Sequence, residues 1–266
     1  ETLVVEGTIR HTDREIQGCT DNAEQIAFRR GAIEAWLLEN HISLDDLSAV
    51  VIRSSGAGLC KKGGTYLVTG KLRDGMYAAY RGSFPKAPHP SFIVLPLADE
   101  ILGSRPIPIY IVDPDFVDEF QDFAYITGHP DLPRSSGFHV LNHKAIARKA
   151  SRDLGKRYED ADLVVAHMGG GISIAAHRHG MVVDSTSGGS AGEGPFGTNR
   201  TGPLPLNKLV DRCFSGAYTK SEIMDLIMTQ GGFLAHTGCT DLRIIEQKAA
   251  DGDAHCDLII RAFIYQ

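Results

Sequence analysis

The stretch that decides the fold lies between residues 162 and 184. It reads Asp162-Leu-Val-Val-Ala-His167-Met-Gly169-Gly170-Gly171-Ile172-Ser-Ile-Ala175, continues through His179-Gly180, and ends with Met181-Val182-Val183-Asp184. The apolar run Leu163 to Ala166 predicts a buried strand, which the three glycines interrupt. Two further strands, Ile172 to Ala175 and Met181 to Asp184, are expected to pair across His179-Gly180. The sequence therefore predicts a strand, a glycine bend and a hairpin.

The glycine bend allows two interpretations. Ten of the 29 glycines fall between Gly169 and Gly202. Successive glycine N–H groups can close around phosphate oxygens. Alternatively, the bend is a tight turn that uses glycine because a positive φ is required, with no ligand involved. The residues alone leave both interpretations open.

Composition excludes several classes of protein. Lysine and arginine total 27 against 33 acidic residues, a net charge of −6, which makes nucleic acid or an anionic membrane an unsuitable main partner. No apolar stretch approaches the ~20 residues of a membrane span. Five widely spaced cysteines fit reduced thiols in a cytosolic protein. The chain starts at Glu1 and stops within an apolar helical pattern, so we expect both ends to be truncated.

The rest of the chain alternates helical and extended patterns, which predicts the α/β class with mixed sheets. Asp113-Pro114 ends a strand, and we place a domain boundary there, giving domains 1–113 and 114–266. We expect a helix over 22–37 that Asp21 caps, helices over 91–102 (kinked at Pro96) and 140–154, strands over 47–52, 63–68 and 107–112, and further helices capped by Thr219 and Asp241.

Three motif matches fail on context. Gly192 to Gly197 fits G-x-G-x-x-G, but no strand precedes it and Pro203 follows where a helix should begin, which argues against a dinucleotide site. Gly70-Lys71 lacks the spacing and hydroxyl of a P-loop. The pairs His139/His143 and His177/His179 lack a third ligand at a convincing spacing, so no metal site is predicted.

The motifs together resemble those of the butyrate kinases and, more distantly, the acetate kinases, within the acetate and sugar kinase, Hsc70 and actin superfamily. The resemblance covers nearly the whole chain and is strongest over 165–173 and 184–202. It also includes Glu6 to His11, Ala49 to Arg53, Lys62 to Tyr66, Ile111 to Pro114 and Ser136 to Asn142. It implies a two-domain actin-like ATPase (ribonuclease H-like) fold.

The resemblance also implies an activity. These kinases transfer the terminal phosphoryl group of ATP to a short-chain carboxylate, or in reverse from the acyl phosphate to ADP, with Mg²⁺ bridging phosphate oxygens. We accordingly expect ATP/ADP with Mg²⁺, a short-chain carboxylate and its acyl phosphate as ligands. We expect no nucleic acid or membrane partner, a homo-oligomer, and a cytoplasmic location.

The family's functional residues carry over to matching positions of this sequence. The expected catalytic residues are Arg53, Asp113, His139 and Arg200. The expected nucleotide-binding residues are His167, Gly169, Gly170, Gly171, Asp241, Leu242 and Arg243, and His89 is the expected substrate-binding residue. Such chemistry relies on positioning and on positive donors rather than on a covalent catalyst.

The sequence also departs from the family. Ser54-Ser55 replaces a pair of glycines after Arg53, and Phe92 replaces an asparagine, which puts the acyl preference in doubt. The family's N-terminal phosphate turn and C-terminal adenosine motif have no counterpart. These departures motivate an alternative, a catalytically altered nucleotide-binding relative that acts as a sensor or assembly protein. A dinucleotide oxidoreductase rests only on the Gly192 match.

Overall fold

A computed structural model describes residues 3–85, 90–186 and 193–266. The chain divides into two compact units, Glu1–Phe116 and Val117–Gln266. We call them the first and second unit. The division falls close to Asp113, where the sequence places its boundary. Gly192, which begins the dinucleotide-like match, lies outside the described residues.

The first unit is built on a three-stranded mixed sheet. Its central strand, β3, pairs in parallel with β1 and antiparallel with β2. Ile109 and Ile111 of β3 are buried against Leu95 and Leu102 of a neighbouring helix. The elements are α1 (Asp13–Gly18), α2 (Asn22–Glu39), β1 (Val50–Ile52), β2 (Thr65–Leu67), α3 (Gly70–Gly82), α4 (Val94–Leu102) and β3 (Ile109–Val112).

Two helices of this unit test the sequence predictions. Asp21 caps α2 as predicted, accepting a hydrogen bond of 2.9 Å from the Glu24 N–H. The kink predicted at Pro96 was wrong, because α4 begins at Val94 and Pro96 lies in its first turn. N–H groups of a first helical turn have no intrahelical acceptor, so proline costs little there.

The prediction of a buried strand from Leu47 was also wrong in extent and burial. A short 3₁₀ turn occupies Leu44–Asp46, and β1 begins only at Val50. Val51 is 62% exposed. Among the described residues β1 pairs with β3 alone, so one of its edges carries no strand partner and its apolar run is only partly covered.

The second unit contains the decisive stretch as an antiparallel meander. The strands β4 (Leu163–Met168), β5 (Ile172–Arg178) and β6 (Met181–Ser185) pair in order, which confirms the predicted hairpin. His179 and Gly180 both have positive φ, the geometry that suits a two-residue hairpin turn. The prediction that β4 is buried throughout was wrong. Its residues alternate between more buried and exposed positions, and Val164 is 75% exposed.

Helices complete the second unit. They are α5 (Val140–Asp153), α6 (Leu206–Cys213), α7 (Lys220–Met228), α8 (Gly232–Thr237), α9 (Leu242–Ala250) and α10 (Ala254–Tyr265). Thr219 caps α7 in a capping box with Glu222, and Asp241 caps α9, both as predicted. A core of Phe196, Phe233, Ile245, Cys256 and Ile259 joins α8, α9 and α10. Over the described ranges, no helix combines the length and apolar character needed to cross a membrane.

Candidate functional site

The glycine bend of the second unit connects β4 to β5. Met168 pairs with Ile172 across it, and the Gly169 N–H donates to the Gly171 carbonyl at 3.1 Å. None of the three glycines has a positive φ. The interpretation that the turn requires left-handed backbone is therefore wrong.

Side chains approach two of the three glycines closely. A Cβ placed on Gly171 would lie 2.9 Å from Arg200 Nη1 and 3.2 Å from His139 Nε2. A Cβ on Gly169 would lie 3.2 Å from His167 Nε2. Real Cβ atoms essentially never approach another heavy atom to 2.9 Å, and 3.2 Å is tighter than most Cβ contacts, so a side chain at Gly171 or Gly169 would displace these nitrogen atoms. Nitrogen atoms of three predicted site residues thus converge on the bend.

Two histidines stack beside the bend. The rings of His139 and His167 lie 3.7 Å apart and are nearly parallel, at 10°. Asn142 Nδ2 donates to His167 Nδ1 at 2.9 Å, so the other nitrogen of a neutral His167, Nε2, carries the proton and lies next to Gly169. His139, at the start of α5, is held by Ser173 Oγ, 2.8 Å from its Nδ1.

Arg200 reaches the bend from a loop that packs against it. Thr198 Oγ1 donates to the Gly170 carbonyl at 3.4 Å, and the Gly197 N–H donates to the Arg200 carbonyl at 2.9 Å. The Phe233 N–H at the start of α8 donates to the Gly197 carbonyl at 3.1 Å. The guanidinium is therefore carried on a loop that is tied to both the bend and α8.

A cavity of about 590 Å³ adjoins the bend. It is lined by Gly169 and by Asp241, Leu242 and Arg243, together with Phe233 and Phe263. Its volume lies in the range of small-molecule sites, and aromatic walls with a few polar groups are typical of them. Asp241 and Arg243 form an ion pair at 2.6 Å, and this hydrogen bond lowers the pKa of the Asp241 carboxyl.

The first unit brings two other predicted residues to one sheet edge. Arg53 follows β1 and Asp113 follows β3, and these strands are parallel neighbours, so both residues lie at the carboxyl end. This edge is where open α/β sheets bind ligands. Asp113 is 1% exposed with φ of 43°, and its Oδ1 accepts from the Gly64 N–H at 2.9 Å. Arg53 is exposed, and its Nη2 lies 3.6 Å from Asp115 Oδ1.

A family model described as the acetokinase family matches residues 129–266, more than half of the chain. The chain belongs to the acetokinase family. Among similar proteins of this family, a probable butyrate kinase of Clostridium botulinum (strain Alaska E43 / Type E3) is 39% identical over 100% of this chain and 73% of its own length. Butyrate kinase 1 of Clostridium acetobutylicum is 38% identical over the same shares.

Solved structures share the acetokinase fold with this chain. The acetate kinase of Porphyromonas gingivalis matches with a TM-score of 0.71 at 23% identity, over 84% of this chain and 57% of that one. A propionate kinase of Francisella tularensis matches with a TM-score of 0.68 at 22% identity, over 87% and 60%. The chain thus spans less than two thirds of these structures. The predicted actin-like ATPase fold is confirmed, and so is the predicted family.

Sequence reasoning missed several residues around the site. Ser173, His143, His177 and Tyr158 form a buried hydrogen-bonded line behind His139. The signal was present: residues 173, 175 and 177 share one face of β5, and residues 139, 143 and 147 share one face of α5. Polar residues on faces that are otherwise apolar predict buried hydrogen bonds. His177 Nε2 lies 3.5 Å from His143 Nδ1.

Arg134 was missed as well. Its guanidinium donates to both carboxylate oxygens of Glu193 at 2.7 and 2.8 Å and lies 3.0 Å from Asp184. These contacts raise the pKa of Arg134, with the hydrogen bond to Glu193 as the largest cause. Arg134 thereby joins the end of β6 to the start of the loop that carries Arg200.

The remaining sequence expectations concern His89 and metal. His89 lies outside the described residues. Within the described part of the chain, no group of three or more histidine, cysteine, aspartate or glutamate side chains is arranged to hold a metal ion. The donors at the bend are cationic or N–H groups, which suit phosphate oxygens and not a cation.

Proposed function

We propose that this acetokinase transfers the terminal phosphoryl group of ATP to a short-chain carboxylate such as butyrate, reversibly. The observation that carries the proposal is the convergence of Arg200 Nη1 and His139 Nε2 on Gly171. A phosphoryl group in transfer spreads negative charge over its equatorial oxygens, and preorganised donors stabilise that charge. Similarity to butyrate kinases over the whole of this chain and 73% of their length supports the acyl acceptor, and it does not favour the sensor alternative.

The proposed reaction needs no covalent enzyme intermediate. A carboxylate oxygen forms a bond to the terminal phosphorus while the bond from that phosphorus to the bridging oxygen of ADP breaks. The electron pair of the broken bond stays on ADP, and the product is an acyl phosphate. Arg200 and His139 hold the equatorial oxygens, and the nearby N–H groups of the bend hold the phosphate chain.

The cavity beside the bend is the proposed nucleoside site. Asp241, Leu242 and Arg243 would contact the nucleoside from the start of α9, and His167 would donate to a phosphate oxygen through Nε2. Asp241, Leu242 and Arg243 line the cavity, and His167 Nε2 lies beside Gly169, which lines it as well. Gly169 of the bend also lines the cavity, so a nucleotide bound there would reach the bend with its phosphates.

The first unit supplies the proposed acceptor-side residues. Arg53, with its guanidinium exposed, would bind the substrate carboxylate, and His89 would assist it. Asp113 would act from the neighbouring strand end, and its left-handed backbone supports a functional role because strained backbone concentrates at such sites. Ser54, which departs from the family pattern, is buried and its Oγ accepts from the Gly56 N–H at 3.3 Å, so its hydroxyl supports the loop.

We propose that Mg²⁺ binds together with the nucleotide, through its phosphates. Mg²⁺ keeps several waters and commonly binds through one or two carboxylates together with substrate phosphates, so a site of this kind does not require a protein cage. The ion would neutralise phosphate charge when bound. We also propose a cytoplasmic location, in keeping with five cysteines that form no disulfide, and self-association as the family resemblance implies.

Trapping of the acyl phosphate tests the proposal. The protein is incubated with ATP, Mg²⁺ and butyrate, isobutyrate or acetate, and hydroxylamine converts any acyl phosphate to a coloured hydroxamate. We expect product with at least one of these carboxylates. Absence of product with all three would contradict the proposal, and ATP binding without product would favour the sensor.

A further inference from the structure

A line of buried hydrogen bonds crosses the second unit and ends at His139. Tyr158 Oη lies 2.8 Å from His177 Nδ1, and His177 Nε2 lies 3.5 Å from His143 Nδ1. His143 Nε2 lies 2.8 Å from Ser173 Oγ, which in turn lies 2.8 Å from His139 Nδ1. The line therefore joins Tyr158, in a short 3₁₀ turn, to strand β5, helix α5 and the site.

The two inner histidines are neutral. His143 and Ser173 are fully buried and His177 is 2% exposed. Burial lowers the pKa of both imidazoles to about 4, because removal from water disfavours the charged ring. The Lys144 ammonium, itself paired with Glu119 at 2.8 Å, lowers the pKa of His177 further. Each ring thus has one N–H donor and one acceptor nitrogen.

Because each neutral imidazole has one donor and one acceptor nitrogen, all the hydrogen bonds of the line must run in the same donor-to-acceptor direction. A phenol is a better donor than acceptor toward an imidazole nitrogen, so Tyr158 donates to His177 Nδ1. His177 then carries its proton on Nε2 and donates to His143 Nδ1, and His143 donates from Nε2 to Ser173. The Ser173 hydroxyl, having accepted from His143, donates to His139 Nδ1. A neutral His139 is left with its proton on Nε2.

We propose that Tyr158 is a positioning residue which, through His177, His143 and Ser173, fixes the tautomer of His139 with its Nε2–H directed at the bend. His139 Nε2 is the atom that lies beside Gly171 and Arg200. In this tautomer it donates to a phosphoryl oxygen. In the other tautomer it would present a lone pair to that oxygen, which is repulsive. The effect on turnover rests on the proposed function, whereas the tautomer does not.

Nuclear magnetic resonance of ¹⁵N-labelled histidine tests the tautomer directly in the whole chain. In the unsubstituted protein we expect the His139 proton on Nε2. In Tyr158→Phe, which keeps the ring and removes the hydroxyl, we expect His177, His143 and His139 to show mixed tautomers. Tyr125→Phe is the control: it also removes a tyrosine hydroxyl hydrogen bond in the same unit, the exposed one to Asp118, which is not part of the line, and should change no tautomer.

Kinetics then separate positioning from a structural role. We expect Tyr158→Phe to lower kcat by about tenfold while the KM values for ATP and the carboxylate change by less than about twofold. Ser173→Ala cuts the line next to His139 and should change the same tautomer with a larger loss of kcat. Tyr125→Phe should leave both parameters unchanged.

Three results would overturn the proposal. They are a His139 proton on Nδ1 in the unsubstituted protein, an unchanged His139 tautomer in both Tyr158→Phe and Ser173→Ala, and a shifted tautomer with unaltered kcat. The resonance measurement needs no turnover. A protein without kinase activity would therefore contradict the proposed function and still give a result on the tautomer.

Discussion

The residue that organises the site is Gly171, and its role is steric. The space that a Cβ would fill there is bounded by Arg200 Nη1 and His139 Nε2. Because φ at Gly171 is not left-handed, alanine suits the backbone and would disturb only the side chains. A protein uses glycine either for close approach of other atoms or for a left-handed backbone, and at Gly171 only the first reason applies.

Replacement of Gly171 by alanine should impair turnover more than stability. The added methyl forces Arg200 and His139 away from the bend, and we expect kcat to fall by about 100-fold, the loss typical of removing one preorganised donor. Gly170→Ala should cost less, since a Cβ there meets no atom within 4 Å. Gly128→Ala, an exposed glycine with similarly open surroundings, is the control. Equal activities of Gly171→Ala and Gly128→Ala in the hydroxamate assay would contradict the steric account.

At this scale the sequence predicted the residues that face the bend but not those behind them. Arg200, His139 and His167 could be assigned because a family motif surrounds each of them. Ser173, His143 and His177 lack such a motif, and they meet residues 19 to 34 positions away. Contacts at that separation depend on how α5 packs on β5, which a local pattern does not contain.

Secondary-structure elements were predicted best where capping chemistry is local. Asp21, Thr219 and Asp241 each hydrogen-bond a backbone N–H two or three residues ahead, so the sequence contains the whole interaction. Strand burial was predicted less well. Val51 and Val164 belong to apolar runs but are exposed, because burial depends on what packs against a strand and not on its own residues.

The start of α9 offers a test of the nucleoside assignment. Asp241→Ala removes the helix cap and the partner of Arg243 in the cavity lining. We expect a lower free energy of unfolding, because the helix cap is lost, and a raised KM for ATP. Initial rates over a range of ATP concentrations, together with urea unfolding, measure both effects.

Asp253→Ala is the matched control for this helix start. Asp253 caps α10 through the N–H groups of His255 and Cys256, and it is not among the residues that line the cavity. Asp253→Ala should lower the free energy of unfolding by a similar amount and leave the KM for ATP unchanged. A raised KM in both variants would show that the effect of Asp241 is general loosening, and the nucleoside assignment would fail.

For the molecule as a whole, the buried histidines make stability depend on pH. His143 and His177 have a pKa of about 4 in the folded chain, below the ordinary 6.5. Between these pH values the unfolded chain binds more protons than the folded chain. The contribution of the two neutral histidines to stability is therefore fully present above pH 6.5 and is lost as the pH is lowered toward 4. At pH 5.5 we expect a loss of about 1 kcal/mol per histidine relative to pH 7.5.

Urea unfolding at pH 7.5 and 5.5, followed through the resonances of His143 and His177, measures this loss in the second unit. Fluorescence of Trp36, the single tryptophan, follows the first unit, which contains neither His143 nor His177. We expect the histidine resonances to report the larger change in unfolding midpoint. A midpoint in the second unit that does not change with pH would show that these rings are not kept neutral by burial.

The central claim is that the donors at the glycine bend hold the phosphoryl group in transfer. Calorimetric titration of ADP, Mg²⁺ and butyrate with aluminium fluoride, which mimics that group, tests it most directly when the unsubstituted protein is compared with Arg200→Ala. We predict that fluoroaluminate tightens ADP binding by about 100-fold or more in the unsubstituted protein and hardly at all in Arg200→Ala, with ADP alone bound equally by both. The same tightening in both proteins would contradict the account.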